Sequence, residues 1–125
     1  LLLAEDDEAV RDWGARILGR AGYRVYTANN GEEAVAVFRQ HAEEIDLLIL
    51  DVVMPRMGGR EAYEHIQDIR AGVPALFSSG YSANAVHTDF VLNGGLQLIP
   101  KPYSPAALLR AIRTVLDQAA RESPS

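Results

Sequence analysis

The sequence predicts an α/β fold, a doubly wound parallel sheet of five strands with helices on both faces. Two observations carry this. Short apolar runs without alternation, such as Leu47-Leu48-Ile49-Leu50, have the character of strands buried on both faces. Each run is followed by a segment with apolar residues at helical spacing, and the β-α pair recurs five times.

Leu1-Leu2-Leu3-Ala4 is the first strand, and it runs into Glu5-Asp6-Asp7-Glu8. Val10, Trp13, Ile17 and Leu18 then mark a helix that Gly22 ends. Arg24 to Ala28 is a short strand. Asn29-Asn30-Gly31 turns the chain, and Asn30 with Glu33 three residues on has the form of a capping box. The second helix carries Ala34, Val35 and Phe38 to about Ala42. The third strand follows and stops on Asp51. A strand interior does not tolerate an unpaired charge, so Asp51 belongs at the strand's end, facing solvent or a cation. Val52 to Gly59 is a loop marked by Pro55, Gly58 and Gly59. Ala62, Ile66 and Ile69 place a third helix ending near Gly72. Val73 to Phe77 is the fourth strand, ending in Ser78-Ser79-Gly80. Tyr81 to Leu92 reads as helix, closed by Asn93-Gly94-Gly95. Leu96 to Ile99 is the fifth strand, and Pro100 beside it marks an edge. Ser104-Pro105 is an N-cap followed by Pro at the first helical position. Leu108, Leu109, Ile112, Val115 and Leu116 form the last amphipathic helix, and Arg121 to Ser125 reads as a frayed tail or linker.

Composition narrows the function. The 125 residues fit one domain with a sizeable core. With 12 Lys and Arg against 17 Asp and Glu, the net charge is −5, which argues against a broad nucleic-acid surface. The absence of Cys excludes disulfide scaffolds and thiolate metal sites. No apolar run approaches the roughly 18 residues of a membrane span. The opening apolar run is too short for a signal sequence and has no basic flank. It lacks an initiator Met, the start expected of a piece of a longer protein or of a trimmed chain.

In a parallel sheet all strand carboxyl ends lie on one edge, where open α/β sheets bind ligands. That edge receives Glu5, Asp6 and Asp7 from the first strand, Asp51 from the third, Ser78 and Ser79 from the fourth and Lys101 from the fifth. Clustered carboxylates repel unless a cation joins them. Oxygen donors without Cys or patterned His suit a hard divalent ion such as Mg²⁺. Lys101 and the Ser79 hydroxyl suit phosphoryl oxygens. Strands ending in unremarkable polar residues account for any one of these positions, but poorly for the whole set.

Glu5-Asp6, Asp51 with Met54-Pro55 and Gly59, Ser79-Gly80, and Lys101-Pro102 together resemble the receiver domains of two-component response regulators, over residues 1 to 118, with 119–125 left as tail or linker. The resemblance implies a flavodoxin-like (βα)5 sheet of strand order 2-1-3-4-5 with five helices. It implies that Asp51 accepts a phosphoryl group from a phosphohistidine. Asp6 and Asp51 would bind Mg²⁺ directly with the backbone carbonyl of Val53, and Glu5 partly through water. Ser79 would hydrogen-bond the phosphoryl group and Lys101 pair with it, across a Lys101–Pro102 bond expected to be cis. Val53 and Tyr81 would tune dephosphorylation. The implied partners are a histidine kinase or phosphotransfer domain as donor and a downstream effector on the face made by the 81–92 helix, fifth strand and last helix. Nucleic acid and membrane are not expected to bind this domain directly. A cytoplasmic phosphoacceptor domain, rather than an enzyme, is implied, although it would assist its own phosphorylation and dephosphorylation. A parent hybrid histidine kinase would be an enzyme. A stand-alone regulator, a hybrid-kinase receiver and a regulator trimmed before its effector all remain open.

Three positions depart from the family pattern. Leu98 stands where an aromatic switch residue is common, Gly58 replaces an acidic loop residue, and Pro100 precedes the lysine. The latter two imply a softer loop and a bent edge strand. Asp7 and Glu8 read as helix-start residues that suit the helix dipole. His41, His65 and His87 have no ligand spacing. Trp13 reads as core, and Tyr103 as a cover for the Lys101 loop. A haloacid-dehalogenase-like phosphatase would place an Asp-x-Asp pair after the first strand and insert a cap. A dinucleotide site would need glycines there, where four acidic residues would repel pyrophosphate. The intact Asp6, Asp51, Ser79 and Lys101 set argues against a degenerate receiver.

Overall fold

The computed structural model describes residues 1–80 and 96–122. Its strands are β1 (Leu2–Ala4), β2 (Tyr26–Ala28), β3 (Leu48–Asp51), β4 (Ala75–Ser79) and β5 (Gln97–Pro100). Its helices are α1 (Glu8–Arg20), α2 (Gly31–His41), α3 (Gly59–Ile69) and α4 (Pro105–Glu122). The strands form one parallel sheet in the order β2-β1-β3-β4-β5. The expected strand order is therefore observed. Four of the five expected helices lie among the described residues; the one expected from Tyr81 to Leu92 lies outside them.

The unalternating apolar runs work as anticipated, because successive side chains enter opposite layers. Leu2, Ala4, Leu48, Leu50 and Phe77 pack into the layer beneath α2 and α3, with Phe38, Ala62 and Ile66. Leu3, Leu47, Ile49 and Leu76 pack into the other, against Leu18 of α1 and Leu108, Ile112 and Val115 of α4. Ile49 is fully buried in the sheet's third strand, so Ile49→Ala costs about 2–5 kcal/mol.

Local signals set the helix ends. Asp7 caps α1, its Oδ1 accepting from the N–H groups of Ala9 at 3.0 Å and Val10 at 3.2 Å. Asn30 caps α2 by accepting from Glu33 N–H at 2.8 Å. Glu33 reaches back to Asn29 N–H at 3.1 Å, one residue earlier than a standard capping box. Ser104 Oγ accepts from Ala107 N–H at 3.1 Å at the start of α4.

β2 and β5 are the sheet edges. Pro100 pairs with Ser79 inside β5, and Lys101 N–H continues the ladder to Ser79 O at 2.7 Å. The edge position lets the strand run through a proline. Lys101–Pro102 is cis. Leu98 is half-buried opposite Phe77. Among the described residues, no helix is long and apolar enough to cross a membrane.

Candidate functional site

β1 and β3 are neighbours at the centre of the sheet, with the chain winding outward to either side of them, so a crevice opens beyond their carboxyl ends. Glu5 follows β1 directly and Asp51 ends β3. Both are buried, Glu5 at 2% exposure and Asp51 at 3%. Buried carboxylates need partners, and each oxygen here has one.

Asp51 Oδ1 accepts from Val53 N–H at 3.2 Å, and Asp51 Oδ2 from Lys101 Nζ at 2.7 Å. Lys101 Nζ also donates to Glu5 Oε1 at 2.7 Å. Glu5 Oε2 accepts from Asp7 N–H at 3.1 Å. The Glu5 main chain is tied twice, its N–H to Ala28 O at 3.0 Å and its carbonyl to Arg11 Nη1 at 2.9 Å. Lys101 thus bridges two strand ends. Of solvent and a cation, the two surroundings expected for Asp51, the structure shows a cation, the Lys101 ammonium.

Asp6 is exposed beside this pair, and Glu5, Asp6 and Asp51 offer carboxylate oxygens all within 4.8 Å of one another. The donors are oxygens only, with no nitrogen or sulfur among them, so the set fits a hard divalent cation. Electrostatics agree. Desolvation, then the hydrogen bond and charge of Glu5, raise the Asp6 carboxyl above its usual value. Burial by itself would lower Lys101, but the hydrogen bonds and charges of Asp51 and Glu5 outweigh it and hold the ammonium above its usual value.

The remaining expected residues are placed unequally. Val53 follows Asp51 by two positions and is half-buried, with its N–H on Asp51. Ser79 ends β4 beside Pro100, but among the described residues no hydrogen bond joins its hydroxyl to Asp51 or Lys101. Tyr81 lies outside the described residues, as does His87. His41, the last residue of α2, stacks on Tyr26 at 4.1 Å and bonds Glu44 at 3.1 Å.

Two residues read as core or cover also belong to the site. Trp13 is half-buried and lines the cleft over the carboxylates, together with Val10, Pro55 and Tyr103. Its ring lies 5.7 Å from that of Tyr103, tilted 44°. Burial, then the negative charge of Glu5, push the Tyr103 phenol up to about 12. Arg11 was not singled out in the sequence at all. Its position one turn into α1, within reach of the acidic loop, was the available signal.

The response regulator receiver domain model matches residues 1–113. The chain is 31% identical over 118 residues to the sensor kinase CckA of Brucella abortus (strain 2308), covering 94% of this chain but only 12% of the kinase. It is 33% identical to the response regulator receiver protein CpdR of the same organism, covering 93% of this chain and 95% of that protein. The crystal structure of a response regulator receiver domain protein (CheY-like) from Methanospirillum hungatei JF-1 superposes with a TM-score of 0.85 at 32% identity, over 98% of this chain and 96% of that one. With a family match across nearly its whole length and the fold to go with it, the chain belongs to the response regulator receiver domains of two-component signalling.

Proposed function

We propose that this domain takes a phosphoryl group from a phosphohistidine onto Asp51 and thereby switches its interactions with partners. The observation that supports this most is the environment of Asp51: a buried strand-end carboxylate held by Lys101 and Val53 N–H, with Glu5 and Asp6 at its side. In the reaction an Asp51 oxygen bonds to phosphorus as the donor's P–N bond breaks, and that electron pair returns to the imidazole. Asp6, Asp51 and the Val53 carbonyl would hold Mg²⁺, with Glu5 acting partly through water. Mg²⁺, when bound, offsets the charge that gathers on the carboxylate and phosphoryl oxygens.

Lys101 has two roles in sequence. Before transfer it keeps two buried carboxylates compensated. Afterwards it pairs with the phosphoryl group, whose charge of roughly −1.5 to −2 replaces that of the free carboxylate. Ser79 at the end of β4 donates its hydroxyl to a phosphoryl oxygen. The donor histidine, on a kinase or phosphotransfer domain, approaches through the cleft rimmed by Val10, Trp13 and Tyr103. An effector then reads the face that includes β5 and α4. Both a kinase-linked and a stand-alone setting are represented among the relatives, and a cytoplasmic location suits either.

The test is phosphorylation by phosphoramidate with Mg²⁺, read by intact mass. The wild type gains one phosphoryl group and Asp51→Asn gains none. Equal labelling of the variant would place the acceptor elsewhere.

A further inference from the structure

The loop that carries Asp51 into α3 is gripped at both ends, and one grip comes from a helix that contributes no side chain to the site. Pro55, Arg56 and Met57 make a three-residue turn, closed by Met57 N–H donating to Pro55 O at 2.7 Å. Arg56 sits at φ 66°, a left-handed conformation that is unfavourable for a residue with a Cβ. Such a turn persists where its surroundings hold it.

The holding group is the start of α2. Gly31 is the first residue of that helix, and its N–H is one of the donors every helix leaves without an internal partner. Here it donates to Met57 O at 2.9 Å. A Cβ on Gly31 would collide with the Met57 carbonyl and with Met57 Cβ, so the close approach requires glycine. Glu32 pairs with Arg56 across the same seam at 3.6 Å, an exposed pair that adds little.

The other grip lies against the site itself. Gly59 N–H donates to Val52 O at 3.1 Å. A Cβ on Gly58 would stand 2.9 Å from Val52 O, and one on Gly59 would collide with Asp51 O. Between the two grips runs the backbone of Val53, bonded to Asp51. The loop expected to be soft at Gly58 is instead closely packed, because glycine there admits the Val52 carbonyl.

We infer that the N-terminus of α2, through the Gly31–Met57 bond, is a positioning element for the carboxylate site: it sets the 52–58 backbone, and with it Val53, in the arrangement that takes up the divalent cation. The inference rests on the cation-assisted reading of the site given above. If the bond favours the cation-binding arrangement, cation binding strengthens the bond by the same factor.

The experiment follows amide signals and amide hydrogen exchange in ¹⁵N-labelled protein titrated with Mg²⁺ alone. In the wild type, Mg²⁺ slows exchange at the Gly31 amide severalfold. Gly31→Ala weakens Mg²⁺ affinity by about fivefold or more. Gly22→Ala is the control: Gly22 has φ 96° in the turn after α1, so that variant is strained too, but it lowers Tm without changing Mg²⁺ affinity. Unchanged affinity in folded Gly31→Ala overturns the inference, as does an equal loss in Gly22→Ala. Should Gly31→Ala not fold, unchanged Gly31 exchange in the wild type on adding Mg²⁺ overturns it. A wild type that does not respond to Mg²⁺ at all removes the cation-assisted reading and the inference with it, whereas a responding wild type with an indifferent Gly31 removes the inference alone.

Discussion

Lys101 Nζ lies 2.7 Å from Asp51 Oδ2, on a residue 50 positions further along the chain, and the same nitrogen lies 2.7 Å from Glu5 Oε1. One ammonium therefore bridges two buried carboxylates at the ends of separate strands. Removing it leaves both uncompensated, and breaking a buried pair in this way costs roughly 3–5 kcal/mol.

Lys101→Met is accordingly expected to lower unfolding free energy by about 3 kcal/mol in urea titrations. Millimolar Mg²⁺ should recover part of that loss, because a cation at the acidic set relieves the same repulsion. A variant as stable as the wild type without Mg²⁺ would show that the bridge contributes nothing to the fold.

Trp13 borders the cleft that holds Glu5, Asp6 and Asp51, so its fluorescence should report cation binding. Mg²⁺ titration is expected to give a saturable change in the wild type and none in Asp6→Ala. Val53, half-buried beside Asp51, and Glu5 remain in that variant, so its retained response would mean that Asp6 does not hold the ion.

Acyl-phosphate lifetime is the third expectation. Hydrolysis needs a water placed in line with phosphorus, and the Val53 side chain has no polar atom with which to orient one. Slow loss of phosphate follows, with removal dependent on a partner phosphatase or on back-transfer to histidine. Val53→Asn combined with Tyr81→Glu should speed decay of purified phosphoprotein severalfold; equal or slower decay would release both positions from that role.

Tyr103 supplies a pH dependence. Its phenol is held at about 12 by burial first and by Glu5 second, against about 10 in an unfolded chain. Because the fold favours the neutral form, the contribution is complete below about pH 10 and is lost as pH climbs through about 12. Ultraviolet titration should show a phenolate step near pH 12 that disappears in Tyr103→Phe. Its persistence in that variant would assign the step to another tyrosine.

The composition and order of residues by themselves determined the layered sheet, its elements to within a few residues wherever the structure describes them, and the edge at which Glu5, Asp6, Asp51, Ser79 and Lys101 gather. The reason is local: an apolar run of about four residues, without alternation and bounded by turn residues, has the length and pattern of a strand covered on both faces, and a carboxylate after it belongs at the strand's end. Even Asn30 and Ser104 were legible as caps, because a cap acts within four residues of itself. The tertiary structure alone decided which distant groups meet. Lys101 chooses Asp51 and Glu5 over solvent because β1, β3 and β5 share one sheet, and Arg11 reaches the Glu5 carbonyl because α1 starts beside it. Trp13 is both core and cleft wall because it lies on the first half of α1, packed against the α1–α4 layer and bordering the cleft beside the helix start. Gly31 looks like a turn glycine in the sequence. Its close contact with Met57, 26 residues away, exists only once α2 and the 52–58 loop are packed side by side. Periodicity records how deeply a residue is buried; which partner it meets there depends on strand order and register, which no short stretch of chain contains.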